Sequence, residues 1–238
     1  MSGAIFASFL IWYVVFVFST TAHEAAHAFV AYLGGDKTAY EGGQVTLDPT
    51  PHVKRSPFGM VVIPIITFLM SGGGYMFGFA SAPYDPFWAQ RNPRKYAGMS
   101  FAGPAANFLL AALAFVVMII LVRSGSLELN PRFGFDNIVQ APLGTEAGPW
   151  GAAAMTLSVL FSLNIFLGIF NLLPIPPLDG AAVLEGAFPE TVGSFFQRLR
   201  QSPMAGLIGL IVIFQFGGRL VAPMFEFIVV HALLFMIS

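Results

Sequence analysis

The sequence predicts an all-α polytopic membrane protein, a bundle of about 5–6 transmembrane or re-entrant segments with a short β-strand or hairpin after the first helix. Three observations predict it. Apolar residues make up 56% of the 238 and charged residues only 10%, with 26 Phe and a mean hydropathy of +0.76, well outside the soluble range. Apolar runs long enough to cross a bilayer, ~20 residues each, recur along the chain. The first of them carries two His and a Glu, and ionisable groups in hydrocarbon are costly unless they bind something or line a wet cavity. The same composition excludes other classes. A net charge of −1 with no block of like charge argues against a nucleic-acid partner. With no Cys there is no disulfide framework, no Cys-type zinc site and no thiol nucleophile.

The first helix is expected over residues 4–33, with Gly34-Gly35 as its stop. No basic segment precedes its apolar run, so it is expected to stay in the mature protein and not to be removed as a signal. Within it stands His23-Glu24-Ala25-Ala26-His27, the pattern H-E-x-x-H. Positions four apart share a helix face, so both imidazoles can grip one metal ion while Glu24 lies beside it, a zinc-hydrolase arrangement. The bland alternative is a pair of packing histidines with a capping glutamate. Ser19 extends the stripe one turn back, which puts the motif on the C-terminal half of the helix and nearer one membrane surface.

Residues 36–57 turn polar, and Gln44, Val45, Thr46 and Leu47 between Gly42-Gly43 and Asp48-Pro49 read as a short strand. As an exposed edge, Gln44, Val45 and Thr46 could hold an extended substrate by main-chain hydrogen bonds. A plain connecting loop fits the local sequence equally well. Residues 58–80 are apolar but broken by Pro64 and Gly72-Gly73-Gly74, so they span once or dip in and return. Arg91, Arg94 and Lys95 mark the next loop, and a clean span follows over 99–122. The 123–147 loop sets Glu128, Asp136 and Glu146 against Arg123 and Arg132, which suits the outer face. A span over 150–173 is stopped by Pro174-Ile175-Pro176-Pro177, which delivers Leu178-Asp179-Gly180 in a rigid extended segment. Residues 203–238 are too long for one untilted span of ~20 residues and carry Gly217-Gly218, so two short helices are expected there. No repeat, low-complexity linker or second soluble domain is visible, and residues 1–238 read as one domain.

If Asp179 is to meet His23 and His27, the 150–173 span must end on the side where the first helix ends. A full span over 58–80 puts Asp179 on the opposite side, whereas a re-entrant hairpin puts it on the right one. The hairpin also gathers Lys37, Lys54, Arg55, Arg91, Arg94 and Lys95 in the cytoplasm. Both arguments favour the hairpin, and irregular backbone at membrane depth is allowed where it lines a wet cavity.

His23-Glu24-Ala25-Ala26-His27, Phe101-Ala102-Gly103-Pro104-Ala105-Ala106-Asn107 and Asn171-Leu172-Leu173-Pro174-Ile175-Pro176-Pro177-Leu178-Asp179-Gly180, in that order and spacing, resemble the site-2 protease family of intramembrane zinc metalloproteases. Small prokaryotic-type members without regulatory PDZ or CBS domains are the nearest likeness, and the resemblance covers about residues 18–182. Two departures stand out. The stretch from His52 to Gly59 is longer than the compact His-apolar-Asp-Pro-x-Gly of such members and lacks the Asp. Ala181 stands where many relatives have a second Gly.

The resemblance implies one zinc ion per chain held by His23, His27 and Asp179, with the fourth position open to water. Glu24 would act as the general base. Asn107 would stabilise the oxyanion or hold substrate backbone, or else serve as an interhelical hydrogen bond. Asn171 would hold substrate or cap carbonyls freed by the prolines, and Asn164 reads as packing. His52, His231 and Glu226 receive no role. The implied partners are the lipid bilayer and a transmembrane protein substrate, cut within or near its helix to release a cytoplasmic regulator. The implied place is a prokaryotic cell membrane, with the active site toward the cytoplasm. Two non-catalytic readings compete, a metal-ion carrier using the same ligands and an inactive relative that only binds transmembrane helices. The sequence carries no signal for oligomeric state.

Overall fold

A computed structural model describes residues 3–201 and 203–237. Helix α1 (Gly3–Gly34) is 32 residues long, ~48 Å at 1.5 Å per residue, more than the ~30 Å of a hydrocarbon core. Phe6, Leu10, Val14 and Phe18 form an exposed apolar stripe on it, while Trp12, Phe16, Ser19, His23 and His27 are buried on another face. Apolar residues toward lipid and polar residues toward protein are what a membrane helix with an interior site requires. The helix ends at Gly35, whose φ of +99° suits glycine alone. Its exit is pinned by the Trp88 indole N–H, which donates to Gly34 O at 3.1 Å, and by Asp36, whose carboxylate accepts from Thr38 N and Asp85 N.

Helices α2 (Thr38–Glu41) and α3 (Pro49–Arg55) are short. The strand expected at Gln44, Val45, Thr46 and Leu47 does not form, and these residues are an irregular link between α2 and α3. A strand needs a partner, and here the nearby groups are otherwise engaged. The Gln44 side chain is buried and donates to Ser81 O, the His52 imidazole donates to Thr46 O, and Asp48 caps α3 through Thr50 N.

After α3 the chain bends by 109° at residues 56–57 and continues as one helical arm, a widened turn over 58–62 running into α4 (Ile63–Met70). It then turns at 71–74 and comes back extended. Two clasps join the arms. Phe79 N donates to Gly59 O at 3.1 Å, and Phe77 N donates to the Thr67 hydroxyl at 3.0 Å. The arms touch at Gly59 and Gly78, where an added Cβ on either would strike backbone of the other arm. The chain therefore doubles back over 58–80.

Helix α5 (Pro86–Arg91) leads into α6 (Pro93–Arg123), which keeps Pro104 inside it. The following loop contains β1 (Glu128–Leu129) and β2 (Val139–Gln140), paired antiparallel. These are the strands among the described residues, and no strand was expected in this loop. Between them Phe135 stacks on Trp12 of α1 and lies against Phe166 of the next helix.

Helix α7 (Pro149–Asn171) is the central one. Of its apolar 18-residue stretch 61% is buried, against 28% for that of α1, 22% for that of α6 and 17% for residues 219–236. After the proline stretch come α8 (Asp179–Ala187), α9 (Ser194–Gln201) and α10 (Pro203–Ile237). Asp179 is thus the first residue of a helix, whereas an extended segment was expected; extended Leu178 delivers it, and a carboxylate at a helix N-terminus is favoured by the helix dipole. The two short helices expected over 203–238 are one continuous helix as far as Ile237. Each interior Gly costs a helix only ~1 kcal/mol, less than breaking hydrogen bonds in hydrocarbon. Among the described residues four helices are long and apolar enough to cross a membrane, namely α1, α6, α7 and the 219–236 part of α10.

Candidate metal centre

Helices α1, α6, α7 and α8 meet around His23 and His27. The four-residue spacing brings the two imidazoles edge to face on the inner face of α1, with Nε2 atoms 3.0 Å apart. Asp179, brought back by the proline turn after α7, places Oδ2 3.1 Å from His23 Nε2 and 3.4 Å from His27 Nε2. Four ligands around a tetrahedral zinc with bonds of ~2.0–2.1 Å lie ~3.3 Å apart, so this triangle has the size of one face of such an ion.

The outer nitrogen of each ring is also fixed. His27 Nδ1–H donates to Met99 O at 2.7 Å, and His23 Nδ1–H donates to Asn107 Oδ1 at 2.6 Å. With Nδ1 carrying the proton, each Nε2 turns a lone pair toward Asp179. Two lone pairs and a carboxylate facing one point repel one another unless a cation sits between them. The donor set, two imidazoles and one carboxylate, is that of catalytic zinc sites with an open fourth position.

Gly103 of α6 closes one side. A Cβ built on it would fall onto Nε2 of both His23 and His27. Only a residue without a side chain lets α6 approach here, so the glycine leaves the donor atoms their clearance. In the sequence Gly103 is only one residue of a motif, because the clearance exists only once α6 lies against α1.

Glu24 is buried at 5% exposure, and no described residue hydrogen-bonds its carboxylate. Asn107 is fully buried, and its amide is engaged at both ends, by His23 at the oxygen and by Asn164 at the nitrogen, 2.7 Å away. It is therefore placed to hold His23, and of the two roles expected for it the interhelical hydrogen bond is the one its contacts make. Asn171 turns its amide back to Leu167 O at 3.0 Å, within its own helix. Gln44, Val45 and Thr46 belong to the irregular link, with Gln44 tied to the return arm. His52 is buried on the Thr46 carbonyl and His231 donates to Phe227 O; neither joins the donor cluster.

Residues 11–216 match the family described as Peptidase family M50. The chain belongs to peptidase family M50. Among its relatives is the Bacillus subtilis protein named "Putative zinc metalloprotease YwhC", 31% identical over 216 residues, which are 89% of this chain and 84% of that one. Another, "Putative zinc metalloprotease Rip2" of Mycobacterium tuberculosis, is 30% identical over 197 residues, 82% of this chain and 63% of Rip2. No solved structure matches the chain. This M50 peptidase is a multi-pass membrane protein and a zinc metalloprotease of the site-2 type. It acts in a bilayer, on membrane-embedded substrates.

Proposed function

We propose that His23, His27 and Asp179 hold the single zinc of this M50 peptidase and that Glu24 is its general base. The observation that carries this reading is the convergence of the three donor atoms, all within 4.8 Å of one another, next along the helix to the buried Glu24, whose carboxylate no described residue hydrogen-bonds. Bound zinc supplies Lewis acidity, which polarises a carbonyl and makes water a nucleophile near neutral pH. Glu24 takes the proton of the attacking water and hands it to the leaving amine. Hydrolysis then proceeds without a covalent intermediate, as befits a site with no nucleophilic side chain among its residues. Neither non-catalytic reading gains support, since a carrier has no use for Glu24 beside the ligands.

The proposed substrate is a transmembrane helix of another protein, cut to release a cytoplasmic part. An intact helix hides its carbonyls in hydrogen bonds, so the cut falls where Gly or Pro weakens it. A single-span peptide with a central Gly pair is expected to be cleaved in detergent or liposomes, and its Leu-only counterpart to resist. Equal cleavage of the two would remove the helix-weakening requirement.

We place the metal centre toward the cytoplasm of a prokaryotic cell membrane, with residues 58–80 as a re-entrant hairpin. The doubled-back chain at 58–80 and the basic residues Lys54, Arg55, Arg91, Arg94 and Lys95 support this side. The chain has no Cys, so single Cys introduced at Val53 and Arg91 report topology without background. Both are expected to label from the cytoplasmic side, and labelling from opposite sides would replace the hairpin by a full span.

A further inference from the structure

The two zinc-facing histidines are oriented by different means. His27 is set directly, because the Met99 carbonyl can only accept a hydrogen bond and so fixes the proton on Nδ1. His23 faces an amide, and an amide has two ends. If Asn107 presented its oxygen, His23 would carry the proton on Nδ1 and offer Nε2 to the metal. If it presented its NH2 group, the His23 proton would move to Nε2 and block that ligand. The choice rests on what holds the other end of Asn107.

That end lies in a buried chain of hydrogen bonds crossing three helices. Asn107 Nδ2 on α6 donates to Asn164 Oδ1 on α7 at 2.7 Å and, at a longer 3.5 Å, to the Ser19 carbonyl of α1. Asn164 Nδ2 in turn donates to Leu160 O and to the Ser19 hydroxyl on α1, both at 2.8 Å. Ser19, Asn107 and Asn164 are each fully buried. The Leu160 carbonyl can only accept, so it fixes which end of Asn164 faces it. Asn164, the shorter of the two contacts and backed by the Ser19 carbonyl, then fixes Asn107, and Asn107 fixes the tautomer of His23. The polarity runs one way, from a backbone carbonyl of α7 to the Nε2 lone pair of His23.

We propose that Asn164, supported by Ser19, is a positioning residue of the metal centre. By holding the Asn107 amide in one orientation it keeps His23 in the tautomer that binds zinc. This assigns a function to a buried Asn that hydrogen-bonds none of the three metal donors, and it rests on the assignment of His23 as a zinc ligand. Helix α7 thereby governs the centre twice, through Asp179 beyond its end and through Asn164 within it.

The test is a double-mutant cycle on zinc affinity, measured by chelator competition on the detergent-purified full chain. Outer hydrogen-bond partners of metal-bound histidines are worth roughly 10–100-fold in affinity. Asn107→Leu is expected to weaken zinc by that factor and Asn164→Leu by about tenfold. Combining them is expected to be no worse than Asn107→Leu alone, because Asn164 acts through Asn107. Asn164→Asp keeps an oxygen toward Asn107 and is expected to restore most of the affinity. Val159→Ala, which removes buried packing from the same helix, is expected to leave zinc affinity unchanged. Should Asn164→Leu fail to fold, Asn164→Ser takes its place in the same cycle. Zinc affinity within twofold of wild type in the Asn164 variant would overturn the proposal, as would an undiminished effect in the Asn107→Leu background. If wild type itself binds no zinc, or His23→Ala binds it as well as wild type, the ligand assignment fails instead.

Discussion

Glu24→Gln is expected to lower peptide hydrolysis by roughly 10²–10⁴-fold, the range for a removed general acid–base group, while the protein keeps its zinc. Glutamine has nearly the same volume and can fill the same buried space, so helix packing is preserved. It cannot take a proton from water. None of the three donors in the triangle is Glu24, and no described residue depends on its carboxylate for a hydrogen bond. Activity should therefore fall without loss of metal or of thermal stability. Full activity in the variant would show that another group takes the proton.

Gly103→Ala has the opposite signature. Alanine favours a helix over glycine by ~1 kcal/mol, so on α6 alone the change is mild or favourable. Its methyl group, however, would occupy the space at Nε2 of both His23 and His27. Either α6 moves away from α1 or the imidazoles rotate off their hydrogen bonds to Asn107 and Met99. Zinc affinity is expected to drop by at least 100-fold, with a larger loss than for any change in the outer hydrogen bonds. A variant that retains wild-type zinc affinity would mean that the ion does not sit on the Gly103 side of the donor triangle.

The two effects separate what the sequence makes legible from what it does not. The H-E-x-x-H pair was readable because helix periodicity alone puts His23 and His27 on one face. Asp179 was readable because prolines stop α7 and turn the chain back beside them. The apolar runs gave the long helices, since hydrocarbon leaves a backbone few other ways to satisfy its hydrogen bonds. Features that depend on contacts between distant segments were not readable. Gln44 to Leu47 has a strand-like composition, but pairing depends on a partner that the fold withholds. Gly217-Gly218 looked like a break because the local glycine cost is visible in sequence and the cost of unpaired backbone in lipid is not. Asn107 stands out in the sequence, and it lies against His23. Which way its amide points is set by Asn164, 57 positions away on another helix, and no local pattern reveals that.

A three-donor site for one zinc at His23, His27 and Asp179 has a defined stoichiometry. The most direct test is the metal content of the detergent-purified wild-type chain after exposure to zinc at neutral pH and removal of the excess. About one zinc per chain is predicted, as a three-ligand site requires. No bound metal in the folded protein would mean that the three donors do not converge as described, and the assignment of this centre would fall with them.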